Sequence, residues 1–140
     1  MRTIALLMAL GRTAFGATLL LRPKLISRAW LGEDAERPAA DMLMRVGGAR
    51  DLAIGLGAVL AIMQGQKARG WIEAGVLADA ADTAITLAYL GKLPTQGALT
   101  TLAMTIPAVL LGWRAARQVD ADLEARVDRA KAEAHLANFV

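Results

Sequence analysis

Residues 93–113, "LPTQGALTTLAMTIPAVLLGW", contain no charged side chain. A helix of about 20 apolar residues spans a bilayer core of roughly 30 Å. Residues 3–21, "TIALLMALGRTAFGATLLL", are as long and contain only Arg12, and two further apolar segments carry isolated charges. Only helices and closed barrels satisfy the backbone in lipid, and no segment alternates with a period of two residues. We therefore predict membrane-spanning helices at about 3–21, 42–64, 71–91 and 97–113.

The composition favours one membrane domain over a soluble one. The 140 residues are 56% hydrophobic, with a mean hydropathy of +0.41. The alternative is a soluble, alanine-rich four-helix bundle, whose helices would carry a charged stripe along their whole length. Only the segment after Arg114 has such a stripe. We predict an all-α, four-helix transmembrane bundle over residues 1–114, followed by a charged, amphipathic, cytosolic C-terminal helix over residues 115–140.

The connections between the spans predict the topology. Residues 22–40 form the longest connection, which fits either a short helix in the headgroup region or a plain loop. The links at 65–70 and 91–97 are short, so the helices on either side of each should be antiparallel neighbours. Lys and Arg are more frequent in the N-terminus, the second link and the tail than in the other connections. We expect an inner-membrane location, and this bias favours both termini in the cytoplasm. The start of the chain resembles a signal peptide, but Arg12 interrupts its apolar run, so we expect a retained helix.

Five ionisable residues lie deep within the predicted spans: Arg12, Arg50, Asp51, Asp79 and Asp82. Each such side chain costs about 2.5 to 3.5 kcal/mol on insertion scales, so each one needs a reason. In a hairpin of the second and third helices, the helical rise places Asp82 within about one turn of Arg50. A similar comparison of the first two helices places Arg12 near the level of Asp51. The sequence therefore predicts one buried polar cluster.

The charges of this cluster do not balance, because three aspartates meet two arginines. Neighbouring carboxylates in a low dielectric cannot all ionise, so one aspartate holds a proton or a further cation joins the cluster. A protonated carboxyl beside an ionised one is what general acid–base chemistry requires. The candidate catalytic residues are Asp51, Asp79 and Asp82. The candidate binding residues are Arg12, Arg45, Arg50 and Thr86, although Arg45 is close enough to the helix end to reach the headgroups.

Three functions fit this pattern. The first is a membrane-embedded site for binding or acid–base chemistry on a lipophilic small molecule, such as cyclisation, isomerisation or ring opening. The second is a structural or accessory subunit of a membrane complex, in which the same charges form a salt-bridge network. The third is a small proton- or cation-coupled transporter. We predict no cofactor and no metal, since the chain has no cysteine and its single histidine, His135, lies in the polar tail. We also predict no nucleic-acid partner, because the tail mixes both charges without aromatic residues.

Small residues predict the helix contacts. Alanine and glycine recur at four-residue spacing on the second helix (Ala49, Ala53, Gly57, Ala61) and on the third (Ala80, Ala84, Ala88). Such ladders permit close helix approach and could also contact a second copy or a membrane-complex partner. The apolar stripe of the tail could do the same (Ala116, Val119, Leu123, Val127, Ala130, Ala134).

Pro107 predicts a kink or a cavity wall in the fourth helix. Trp30, Trp71 and Trp113 lie at span ends, as in aromatic belts.

Two motifs carry a resemblance to a known family. "RVGGARDLAIGLG" at 45–57 and "DAADT" at 79–83 resemble an uncharacterised family of small four-helix bacterial integral membrane proteins. That family has an R-x-x-G-A-R-D/E motif in its second helix and an aspartate in its third. Arg45, Gly48, Ala49, Arg50 and Asp51 match the first motif, and the resemblance covers roughly residues 1–115. It implies the four-helix membrane fold and no particular activity.

Overall fold

The computed structural model describes residues 1–137, which form six α-helices and one short 3-10 helix. The elements are α1 (Arg2–Leu21), α2 (Lys24–Leu31), the 3-10 helix (Gly32–Glu36), α3 (Pro38–Met63), α4 (Arg69–Ala88), α5 (Thr95–Gln118) and α6 (Ala121–Ala137). No strand occurs within residues 1–137. The predicted all-α class is therefore confirmed for this part of the chain.

The first connection contains a short helix rather than a plain loop. In α2, Arg28 lies 2.7 Å and Lys24 3.1 Å from carboxylate oxygens of Glu36, at the end of the 3-10 helix. These hydrogen bonds, first from Arg28 and then from Lys24, hold the pKa of Glu36 below its ordinary value. The two ion pairs join the short elements into one cap over this end of the bundle.

The four long helices form two antiparallel pairs. α1 packs closely along α3, and α4 packs along α5, whereas α3 and α4 contact each other much less. Glycines explain the closeness of the first pair, since a Cβ on Gly48 would lie 2.6 Å from the backbone nitrogen of Leu20 and 2.8 Å from the carbonyl oxygen of Gly16. In the second pair, the hydroxyl groups of Thr83 and Thr105 lie 2.7 Å apart.

The ladder of small residues on α3 lies only partly at a helix contact: Gly57 lies against Trp71 of α4 and Ala61 is buried, but the other two members are not. Ala49 and Ala53 are exposed on α3, and Ala84 and Ala88 are exposed on α4. The closest approach of α3 is to α1 instead, because Gly48 and Gly55 lie on the side of α3 that contacts α1. The exposed alanines lie on the outside of the described bundle.

The hydrophobic core lies at the end of the bundle where α3, α4 and α5 meet the start of α1. Its buried residues include Ala5, Ala9, Ala58, Val59, Ala61, Ile62, Ala68, Ile72, Ala115, Ala116 and Val119. Beside this core, the buried carboxylate of Asp120 accepts hydrogen bonds from the backbone N–H groups of Ala68 at 3.0 Å and Arg69 at 3.3 Å. Asp120 therefore caps the start of α4 from the far end of α5.

The junction between α5 and the tail differs from the prediction. α5 continues to Gln118, so Ala116 and Val119 of the predicted tail stripe are buried in the bundle core. The stripe continues on α6 with Leu123, which is half-buried, and with Val127, which is exposed. The final residues of the predicted tail helix, 138–140, lie outside the described residues.

Three segments are long and apolar enough to cross a membrane: Arg2–Leu21, Pro38–Met63 and a span within Thr95–His135. α4 is as long as α1 but carries Glu73, Asp79 and Asp82. Large apolar side chains point outward from the bundle, and Leu7, Leu77 and Leu110 are each at least 64% exposed. This outer surface is typical of a chain whose surroundings are lipid rather than water.

Candidate functional site

A cavity of about 770 Å³ lies between the α1–α3 pair and the α4–α5 pair. It exists because the two pairs make few contacts with each other beyond the end that holds the core. Exposed apolar residues at its border, including Leu43, Val46 and Leu111, show that the cavity reaches the outer surface of the bundle. Its volume is within the range of about 300 to 1,000 Å³ that is usual for small-molecule sites.

The five charged residues that line this cavity are Arg12, Arg50, Asp51, Asp79 and Asp82. These are the five ionisable residues that the sequence placed deep in the predicted spans. They come from α1, α3 and α4, and their side chains form one continuous chain of ion pairs in the order Asp79, Arg12, Asp51, Arg50, Asp82. The predicted polar cluster is therefore present.

Arg12 is the central cation of the cluster. Its guanidinium donates to Asp51 at 2.8 Å, to Asp79, and to the carbonyl oxygen of Gly75 at 3.3 Å. The first partner is on α3 and the other two are on α4. One side chain of α1 therefore connects the two helix pairs across the cavity.

Arg50 makes the second set of contacts. It binds both carboxylate oxygens of Asp82, at 2.7 and 3.1 Å, and it lies 3.3 Å from the carboxylate of Asp51. Two parallel N–H to oxygen bonds are the strong, geometrically specific form of an arginine–carboxylate pair. The contact also confirms the predicted proximity of Arg50 and Asp82 in a hairpin of α3 and α4.

The two parts of the cluster differ in exposure. The side chains of Asp51 and Asp79 are 8% and 10% exposed, and Arg12 is 17% exposed. By contrast, Arg50 is 39% exposed and Asp82 is 32% exposed. Arg12, Asp51 and Asp79 thus form the buried part, and Arg50 and Asp82 form the part that a molecule entering the cavity would contact.

Two other predicted site residues have different positions. The buried Thr86 lines the cavity, and its hydroxyl donates to the backbone oxygen of Asp82 at 2.7 Å. Arg45 lies away from the cluster, where it pairs with Asp41 at 2.8 Å and donates to the carbonyl oxygen of Leu20 at 2.6 Å. This is the helix-end position that the sequence offered as an alternative for Arg45.

Aromatic residues line the cavity on both sides of the cluster, which the sequence did not predict. The rings of Phe15 and Trp30 have centroids 5.9 Å apart at one end. Trp71 lies against Gly57 towards the other end. The sequence places Trp30 and Trp71 at span ends, which predicts membrane-interface residues and not residues of a cavity. Trp113 lies 51% exposed, as a residue of an aromatic belt would.

Pro107 forms part of the cavity wall, which was the second of its two predicted roles. Thr101, Thr105 and Ala108 line the same wall on α5. The Thr101 hydroxyl donates to the backbone of Gly97 at 3.0 Å, and Thr105 contacts Thr83 across the α4–α5 interface. The Thr83–Thr105 contact joins α4 to α5 behind the cavity, whereas the Thr101 bond is within α5.

The chemistry available at this site is that of carboxylates and guanidinium groups. Within residues 1–137, no three His, Cys, Asp or Glu side chains are grouped so that they could hold a metal ion. Every buried side-chain nitrogen or oxygen of the described residues has a hydrogen-bond partner. Compared with family models, with curated proteins and with solved structures, the chain has no match.

Proposed function

We propose that this chain is a four-helix transmembrane protein whose cavity binds a lipophilic small molecule and exchanges protons with it. In this proposal α1, α3, α4 and α5 cross the membrane, and both termini lie on its cytoplasmic side. The observation that carries the proposal is the cavity itself, which combines apolar and aromatic walls with one line of charged side chains. Pockets for small molecules have this composition, in which a few polar groups orient a ligand held by apolar contacts.

The border of the cavity supports a ligand that arrives from the lipid. Leu43, Val46 and Leu111 are exposed there, so an apolar molecule in the bilayer can reach the cavity without crossing water. Its apolar part would contact the apolar side chains of the cavity wall, and its polar group would meet Arg50 and Asp82. Burying the Arg50–Asp82 pair at this depth costs free energy, and binding a ligand is a functional reason to retain the pair.

Proton exchange is the chemistry that we assign to the carboxylates. Asp82 is the acidic group most accessible to the ligand, and Arg50 holds it in a fixed orientation through two hydrogen bonds. Asp51 and Asp79 lie behind it and are connected to it through the two arginines. A cyclase, isomerase or ring-opening enzyme would use an accessible carboxyl in this way, as the general acid or base.

Fluorescence quenching tests the binding step. Trp30 and Trp71 line the cavity, so a lipophilic probe with a terminal bromine atom should quench them when it binds. We would titrate ω-bromododecanol into the Trp113→Phe variant in an uncharged maltoside detergent, because this variant lacks Trp113, which is 51% exposed and does not line the cavity. We expect quenching that saturates.

Two further substitutions distinguish the cavity from the detergent micelle. In Ala108→Phe the new ring occupies the cavity wall, and we expect the saturable quenching to disappear. In Leu99→Phe the substitution is on the exposed surface of the same helix, and quenching should be unchanged. Equal quenching in both variants would show that the probe acts through the micelle, and it would contradict the proposal.

A structural role is the second candidate, and one observation favours it. Each of the five charged side chains already has an ion-pair partner inside the cluster. A network of this kind can fix the positions of helices in an accessory subunit without any ligand. Under this alternative the cavity would show no saturable binding of any bromododecyl probe.

A further inference from the structure

We infer that the ligand of this cavity carries a single positive charge on a lipophilic body, as a long-chain ammonium compound does. This inference rests on the proposed function, since it assumes that the cavity binds a lipophilic molecule. The inference is based on two features of the cavity wall: its carboxylates outnumber its arginines, and aromatic residues line it at both ends. The charge of the wall and the chemistry of its aromatic rings point independently to a cation.

The first argument is the charge of the wall. The charged residues that line the cavity are three aspartates and two arginines, which leaves one negative charge in excess. Both arginines are already shared between carboxylates, Arg12 between Asp51 and Asp79, and Arg50 between Asp82 and Asp51. The wall has no unused positive charge with which to attract an anion.

The excess charge also discriminates between a neutral and a cationic ligand. A neutral ligand removes water from the cavity without compensating the extra carboxylate, so one aspartate must hold a proton or stay charged in a low dielectric, which is costly. A ligand with one positive charge compensates the three ionised aspartates directly, and the bound state is neutral overall. Where an aspartate held a proton before binding, that proton leaves to solvent.

The second argument is the position of the aromatic rings. Phe15 is three residues from Arg12 on α1, so the two backbones are about 5 Å apart along the helix axis, whereas Trp71 is eight residues, or about 12 Å, from Asp79 on α4. The Phe15 end of the cavity is therefore the aromatic end nearer to the charges. Trp30 packs on Phe15 with a centroid distance of 5.9 Å. The faces of tryptophan and phenylalanine rings attract cations, and alkylated ammonium groups are bound in this way. Neutral and anionic ligands gain no such attraction.

Three probes with the same chain test the inference. ω-Bromododecyl trimethylammonium, ω-bromododecanol and ω-bromododecyl sulfate share one brominated chain, and their head groups are cationic, neutral and anionic in turn. We would titrate each of them into Trp113→Phe in maltoside detergent and compare the concentrations for half-maximal quenching. We expect the cation to bind about tenfold more tightly than the alcohol, and the sulfate to bind most weakly.

Two matched variants locate the source of the preference. Asp82→Asn leaves two carboxylates and two arginines in the wall, so the cation should lose its advantage over the alcohol. Asp34→Asn removes an exposed carboxylate that pairs with Arg37 in the 3-10 helix, and the preference should remain. The comparison of probes on Trp113→Phe itself does not depend on the folding of Asp82→Asn.

The outcomes separate the inference from the proposed function. If all three probes saturate and the alcohol or the sulfate binds as tightly as the cation, the inference is overturned and the lipophilic site stands. A cation preference that survives in Asp82→Asn would also overturn it. If none of the three probes gives saturable quenching, the proposed function itself fails.

Discussion

Arg12 is the residue on which the arrangement of the two helix pairs depends most. It is the side chain from α1 that binds carboxylates of both α3 and α4. In Arg12→Gln the buried Asp51 and Asp79 lose their shared cation. Removing one partner of a buried ion pair costs about 3 to 5 kcal/mol, because the other charge stays buried without compensation. We expect a loss of about 3 kcal/mol in the free energy of unfolding, measured by denaturant titration in detergent.

Arg37→Gln is the matched control for this prediction. Arg37 also pairs with an aspartate, Asp34, at 3.0 Å, but the two side chains are 75% and 64% exposed. Exposed pairs contribute about 0 to 1 kcal/mol, so this variant should unfold almost as the unmodified protein does. Equal losses in the two variants would show that Arg12 does not hold the helix pairs together.

At the residue scale, part of the site follows from the sequence alone. A charge inside a long apolar segment is conspicuous, and the rise of a helix places Arg50 beside Asp82 once the two helices form a hairpin. The contact of Arg12 with Asp79 depends on how the two pairs are rotated, which no loop length fixes. Asp120 could not be identified either, because one acidic residue in a charged segment has no pattern that predicts a capping role.

α1 and α3 make the most extensive contact between elements, and Gly48 lies in it against Gly16 and Leu20 of α1. A Cβ at this position would lie 2.6 to 2.8 Å from backbone atoms of Leu20 and Gly16, which belong to a helix and cannot move separately. We therefore expect Gly48→Ala to lower the free energy of unfolding by about 1 to 3 kcal/mol through overpacking. Thermal unfolding followed by circular dichroism in detergent would measure the loss.

Gly47→Ala is a neighbouring control of the same chemical type. No atom outside the helix lies within 4 Å of the position where its Cβ would be. Alanine is a better helix former than glycine by up to about 1 kcal/mol, so this variant should be unchanged or more stable. If Gly48→Ala proved as stable as Gly47→Ala, close glycine-mediated packing of α1 on α3 would be refuted.

At the element scale, the sequence predicted the helices better than their contacts. Long apolar runs and short links identify the helices and their antiparallel order. The ladder on α3 is split between two environments, since Ala49 and Ala53 are exposed whereas Gly57 lies against Trp71 and Ala61 is buried. The glycines that form the contact are seven residues apart, at Gly48 and Gly55, beside the α1 backbone. Spacing alone did not distinguish these two surfaces.

At the scale of the whole molecule, the cavity and the core lie in different parts of the bundle. The core residues hold the helix pairs together at the end near Asp120, Ala68 and Val119. Away from that end, the charged cluster connects α1 and α3 to α4, α2 packs against the start of α5 at Gly97, and the cavity lies between the pairs. Under the proposed function, the ligand would therefore enter away from the hydrophobic core.

Whether α4 crosses the membrane determines the topology of the molecule. α4 carries Glu73, Asp79 and Asp82 and does not qualify as a span by composition, whereas α1, α3 and α5 lie in segments that do. Asp79 and Asp82 are paired with arginines of α1 and α3, which reduces the cost of inserting α4. We therefore expect four crossings, with the α3–α4 link and the tail on one side and the α4–α5 link on the other.

The absence of cysteine makes this expectation directly measurable. Single cysteines would replace Gln66 in the α3–α4 link, Lys92 in the α4–α5 link and Glu133 in α6, and intact cells would be treated with a membrane-impermeant maleimide. With four crossings and a cytoplasmic N-terminus, only the cysteine at position 92 should react before the cells are opened. If α4 lies outside the membrane, positions 66 and 92 share one side and position 133 lies on the other. Matching labelling at 66 and 92 would therefore refute the four-helix membrane bundle, because the aspartates of α4 could not then line a cavity within the bilayer.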